Sequence, residues 1–186
     1  MKSDLLLTPN QITLMRFVFV PFIIICVLDG HWRAALVLFV IAGISDGLDG
    51  LAARMLHQRT LLGEYLDPIA DKLLLSGLFL VLSMVHRIPW RYTVMVFSRD
   101  ICIVATAALL YTAADYRNFR PSFLGKANTA AQVAALFFVL LHAVAGGLWV
   151  DSVRRSLLWL AFALALLSGI HYILLTGQRM KRGETR

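Results

Sequence analysis

Residues 32–54 read WRAALVLFVIAGISDGLDGLAAR. Apolar side chains fill the stretch from Ala34 to Ile44, and then two aspartates, Asp46 and Asp49, interrupt it before Arg54. A helix needs about 20 mostly apolar residues to cross about 30 Å of hydrocarbon, and this run is long enough. An ionised carboxylate within such a helix costs roughly 2.5–3.5 kcal/mol on insertion scales, so each acid requires a polar cavity and a partner. Spaced three apart, Asp46 and Asp49 share one face of that helix.

The next apolar segment opens with GEYLDPIADK over residues 63–72, where Asp67 and Asp71 are four apart and again share a face. A short connection predicts that the two helices are antiparallel neighbours, with both acid pairs at one depth. Four converging carboxylates without an equal number of bases cannot all stay ionised unless a cation sits among them. Oxygen ligands on rigid helices suit Mg²⁺, Mn²⁺ or Ca²⁺ rather than zinc. Gly47, Gly50 and Gly63 flank the acids, either to let a ligand approach closely or to let helices pack through small residues.

Outward from this centre the whole chain has the same character. Of its 186 residues 59% are hydrophobic and 16% charged, with mean hydropathy +0.74. Soluble domains run about 45–50% apolar and about 25% charged, which excludes an ordinary soluble domain, a disordered chain and a disulfide scaffold. Six spans are expected, near Ile12–Leu28, Trp32–Ala52, Gly63–Val85, Tyr92–Ala113, Ala127–Trp149 and Leu157–Thr176. The predicted fold is therefore an all-α integral membrane bundle of six transmembrane helices in one domain, 1–186, led by a short interfacial N-terminal segment. A cleaved signal peptide is not expected, because polar residues lead into the first span.

Ten basic residues lie toward one face (Lys2, Arg54, Arg59, Arg117, Arg120, Lys126 and four after Thr176) and five toward the other (Arg33, Arg87, Arg91, Arg154 and Arg155). The positive-inside rule then puts both termini and the acids on the cytoplasmic side. The net charge of +7 points to anionic lipid headgroups, not nucleic acid. Cys26 and Cys102 lie in apolar runs without ligand spacing and read as lipid-facing or core thiols.

The stretch Asp46-x2-Asp49-Gly50-x2-Ala53-Arg54-x8-Gly63-x3-Asp67-x3-Asp71 resembles the CDP-alcohol phosphotransferase signature, D-x2-D-G-x2-A-R-x8-G-x3-D-x3-D, at every fixed position. The resemblance implies an enzyme that displaces CMP from a CDP-linked lipid with a second alcohol. It further implies Asp46, Asp49 and Asp67 as ligands of Mg²⁺ or Mn²⁺, with Asp71 as general base and a possible further ligand. Asp49, Gly50, Ala53, Arg54 and Gly63 would line the CDP-lipid pocket. The family's members are usually homodimers of the bilayer, and for a bacterial chain that bilayer would be the inner membrane. Lys72 either balances charge, binds phosphate or snorkels to the interface.

The segment Thr8–Arg16 is similar to the N-terminal motif of the family's glycerol-acceptor branch. Arg16, Arg99 and Lys126 are the cations expected to hold an anionic acceptor's phosphate, since guanidinium and ammonium groups suit phosphate oxygens. Alternatively, Arg99 and Asp100 neutralise other buried groups. Two acceptors fit, phosphatidylglycerol (making cardiolipin) and glycerol 3-phosphate. Members using the latter show R-E-I in the fourth span and G-K-x-K-T before the fifth. Here Arg99-Asp100-Ile101 and Gly125-Lys126-Ala127-Asn128-Thr129 stand instead, which favours phosphatidylglycerol. A small cation transporter is the distant alternative, but the apolar runs Ala34–Ile44 and Leu73–Val85 supply no polar route through the bilayer.

Overall fold

The computed structural model describes the backbone over residues 8–56, 61–114 and 123–183, and side chains over 18–45, 72–106 and 123–172 together with 174. Among the described residues there are six helices and no strand. They are α1 (Thr8–Leu28), α2 (Trp32–Leu56), α3 (Leu61–Met84), α4 (Trp90–Ala114), α5 (Phe123–Ala145) and α6 (Leu148–Gly183).

The turns explain where the helices stop. After α1, the amide of His31 donates to the carbonyl of Cys26 at 2.8 Å, and Gly30 holds φ at +74°. That is a left-handed cap, and glycine adopts it without a Cβ clash. The same cap closes α3, where the Arg87 amide donates to the Leu82 carbonyl at 2.8 Å with His86 at φ +57°. Gly146 and Gly147, at φ +64° and +91°, end α5 four residues before the expected limit at Trp149.

The last helix starts earlier than the apolar pattern suggests. The span expected to begin at Leu157 leaves Asp151–Arg155 outside it, yet they lie in the first turns of α6. Asp151 accepts from Arg154 Nε at 3.0 Å and from Arg155 Nε at 2.8 Å, three and four residues on. Helical spacing thus pairs these charges along one face. Hydrogen bonds from Arg155 and then Arg154 lower the Asp151 carboxyl from 3.8 to about 2. Arg154 Nη1 also donates to the Arg87 carbonyl at 3.0 Å, tying α6 to the turn after α3.

Helix α3 runs through the centre and touches α1, α4 and α5. Its Leu74, Leu78, Phe79 and Leu82 join Ile23 and Val27 of α1, Phe39 of α2 and Leu136 and Leu140 of α5 in one core. Polar contacts pin α3 to α4: Ser83 Oγ lies 2.5 Å from Thr93 Oγ1, which also donates to the Phe79 carbonyl at 3.0 Å. The outward faces are apolar too, with Val37 and Ile44 of α2 and Ile101 and Val104 of α4 all more than half exposed. Two helical segments, Phe123–Ala145 and Leu148–Tyr172, are long and apolar enough to cross a membrane.

Candidate active site

The acid motif occupies the last turns of α2 and the first turns of α3. At a helical rise of about 1.5 Å per residue, Asp49 and Asp67 each stand roughly 10 Å from the link at 57–60, and Asp46 and Asp71 each roughly 15 Å. The side chains of Asp46, Asp49, Gly50, Ala53, Arg54, Gly63, Asp67 and Asp71, and that of Arg16 in α1, lie outside the described residues. Among the described residues no group of three metal-ligating side chains gathers elsewhere.

The expectation that α2 and α3 are antiparallel neighbours with both acid pairs at one depth bears on side chains outside the described residues; among the described residues α1 and α5 each touch both helices. A four-residue link holds two helix ends together without dictating what packs along their length. Here α2 returns along α1 through the tight turn at Gly30, and the cores of α1 and α5 fill the space beside α3.

Of the expected phosphate-binding cations, Arg16 lies outside the described side chains, while Arg99 and Lys126 stand on different sides of the bundle. Arg99 is 9% exposed, and its Nη1 donates to Asp100 Oδ1 at 2.8 Å. Lys72 Nζ lies 3.8 Å from the same carboxylate oxygen, and Ser76 Oγ donates to Asp100 Oδ2 at 3.3 Å. This cluster heads a groove of about 670 Å³ between α3 and α4, lined by Gly77, Leu80 and Phe97. Lys126 lies on another side. It is exposed, in the first turn of α5 rather than in a loop, and borders a groove of about 830 Å³ between α2 and α5 with Gly43, Ile44, Thr129 and Val133. No contact joins α4 to α5 among the described residues. Arg99 and Asp100 pair with each other, with Lys72 beside the same carboxylate, rather than with other buried groups.

The inward face of α5 holds polar groups absent from the expected site. Asn128 is fully buried and Gln132 is 4% exposed, yet Asn128 Nδ2 and Oδ1 and Gln132 Nε2 have no hydrogen-bond partner. Ser168 Oγ on α6 and Arg99 Nε on α4 are further such buried atoms. Buried polar groups are satisfied in the great majority of cases, so orphans in a cluster are a functional signal. The i,i+4 spacing of Asn128 and Gln132 in an apolar helix was legible in the sequence; their burial was not.

The signature on α2 and α3 defines the class, and a family model for CDP-alcohol phosphatidyltransferases matches residues 6–167. The chain belongs to this family of enzymes. Among its relatives, human cardiolipin synthase (CMP-forming) is 33% identical over 169 residues, covering 81% of this chain and 55% of the relative. The Bacillus subtilis CDP-diacylglycerol–glycerol-3-phosphate 3-phosphatidyltransferase is 32% identical over 179 residues, covering 88% and 92%. Its Escherichia coli counterpart is 31% identical over 171 residues, covering 89% and 92%. The chain thus spans about half the length of the human cardiolipin synthase and nearly all of the two bacterial enzymes.

Proposed function

We propose that this chain transfers a phosphatidyl group from CDP-diacylglycerol to the headgroup hydroxyl of phosphatidylglycerol, forming cardiolipin and releasing CMP. The observation that carries the reading is the complete eight-letter signature from Asp46 to Asp71, set at matching distances from the α2–α3 link. The acceptor hydroxyl oxygen forms a bond to the phosphorus that bears diacylglycerol, and the bond from that phosphorus to the CMP oxygen breaks. Asp71 takes the hydroxyl proton, CMP leaves with the bonding pair, and Arg54 with Gly50, Ala53 and Gly63 holds the nucleotide half.

Four carboxylates are a hard-oxygen donor set, and they fit a divalent Mg²⁺ or Mn²⁺ better than any softer ion. Asp46, Asp49, Asp67 and Asp71 would hold it, and when bound it would offset the pyrophosphate's charge. Asp49 serves both the metal and the donor lipid in this reading.

The choice of acceptor is supported by the cations. Arg99 is engaged by Asp100 at 2.8 Å, whereas among the described residues Lys126 has no acidic partner. One uncommitted lysine suits the single phosphate charge of phosphatidylglycerol better than the near-dianion of glycerol 3-phosphate. Arg16 and Arg99 keep a place at the rim of the acceptor site in this proposal. The second reading, glycerol 3-phosphate as acceptor, is favoured by the length match to the two bacterial relatives.

The apolar outward faces support six spans in a lipid bilayer, where lipid tails, not water, meet residues such as Val37, Ile44 and Ile101. The ten-to-five distribution of basic residues supports cytoplasmic termini and a cytoplasmic site. In a bacterium the host bilayer is the inner membrane, and a homodimer of single-domain chains is the working form. The test is direct: purified protein is supplied with CDP-diacylglycerol and each acceptor in turn, and the lipid product is identified. Cardiolipin formation supports the proposal; phosphatidylglycerophosphate alone moves the assignment to the second reading.

A further inference from the structure

We infer that Asn128 and Gln132 form a subsite that hydrogen-bonds the glycerol hydroxyl beside the attacking one. The inference rests on the functional reading above and specifies what the acceptor end of that site recognises.

Three observations carry it. First, both amides are buried, and Asn128 Nδ2, Asn128 Oδ1 and Gln132 Nε2 are without a partner. Leaving such groups desolvated is unfavourable, and a ligand that supplies both a donor and an acceptor relieves it. A hydroxyl is both. Second, the amides face inward, on the side of α5 that carries Ala131, Ala135 and Leu136 into the bundle. Helix α5 touches both α2 and α3, the two helices that carry the acid motif. The lipid-facing groove between α2 and α5 runs along a different side, past Lys126, Thr129 and Val133.

Third, the depth fits the acceptor and not the nucleotide. The α2/α5 groove sets Gly43 and Ile44 opposite the first turns of α5. Asn128 therefore stands within about one turn of the level of Asp46, and Gln132 about one turn farther from the α2–α3 link. Gly50, Ala53 and Arg54, which hold CMP in the reading above, are about one to two turns on the link side of Asp46. In phosphoryl transfer the attacking and leaving oxygens lie roughly in line. With CMP leaving toward the link, the acceptor oxygen arrives from the opposite side, which is the level of the amides. Two neutral amides recognise a neutral hydroxyl there, while phosphate charge is left to the cations.

The test is a cycle of two acceptors against two variants in the full-length protein. Phosphatidylglycerol is compared with phosphatidyl-1,3-propanediol, which keeps the terminal hydroxyl and lacks the secondary one. Wild type should favour the glycerol headgroup by about 10- to 100-fold in kcat/KM. Asn128→Leu and Gln132→Met should each reduce that preference at least fivefold, with the KM for CDP-diacylglycerol within twofold of wild type. Gln132→Met preserves length and volume, so it serves where Asn128→Leu fails to fold. An unchanged headgroup preference in a folded variant overturns the subsite, as does an equal rise in KM for donor and acceptor. If wild type uses only glycerol 3-phosphate, the functional reading has failed in its choice of acceptor. The same cycle with 3-hydroxypropyl phosphate as the deoxy partner then decides the subsite separately. Transfer to neither glycerol acceptor defeats both.

Discussion

Arg99 and Asp100 are consecutive on α4, and they close an ion pair of 2.8 Å inside the bundle, with side chains only 9% and 17% exposed. The carboxylate also accepts from Ser76 and lies 3.8 Å from Lys72, so one acid holds two cations and a hydroxyl. Removing the acid alone strands a buried guanidinium, which typically costs about 3–5 kcal/mol. Asp100→Asn should therefore lower the thermal midpoint of the purified protein sharply. Adding Arg99→Met to it should recover most of the loss. A melt of the single variant matching wild type would show that the pair contributes nothing to stability.

Metal dependence follows from the four acids. Asp67→Asn should abolish transfer while the protein still inserts, purifies and melts cooperatively. Full activity after exhaustive chelation, with no divalent ion restored, would remove the metal from the proposal.

Asp71 is expected to act differently from the other three. Asp71→Asn should cut turnover by roughly 10²–10⁴-fold, the usual range for losing a general base. CDP-diacylglycerol affinity should change little, since Asp46, Asp49 and Asp67 remain. Measuring both on one preparation separates the roles: equal loss of affinity and turnover would make Asp71 a ligand first.

Orientation is testable at the end of α6. With Cys26 and Cys102 replaced by alanine, Gly183→Cys should resist a membrane-impermeant thiol reagent in intact cells and react after lysis. Labelling from outside would reverse the topology and place the acid motif on the wrong face for cytoplasmic CDP-lipid.

The Asp151 cluster carries a pH signature. Its carboxyl is lowered to about 2 from 3.8 by Arg155 and Arg154, so its contribution to stability is complete above about pH 4 and is lost as pH falls through 2. The difference in thermal midpoint between wild type and Asp151→Asn should be constant from pH 8 to 5. Below pH 4 it should shrink. A difference that stays constant down to pH 2 would show that these pairs contribute nothing to stability.

The number of helices, their approximate limits and the acid motif were all legible in the amino-acid sequence, because apolar run length and i,i+3 or i,i+4 spacing are local properties. Gly30 likewise announced its turn by composition, whereas Gly146–Gly147, which lie inside the span expected to reach Trp149, end α5 early. His86 did not, since nothing local marks a histidine for a left-handed cap. The start of α6 at Leu148 was hidden for a related reason: Asp151, Arg154 and Arg155 look like a polar loop until helical spacing pairs them. The partner of Arg99 required the fold to show that the pair is buried and shared with Lys72 and Ser76 from α3. Only tertiary packing could set α5 against both α2 and α3, because contacts between distant segments depend on which faces the whole bundle buries. That packing also turned Asn128 and Gln132 inward, converting two ordinary amides into buried groups without partners.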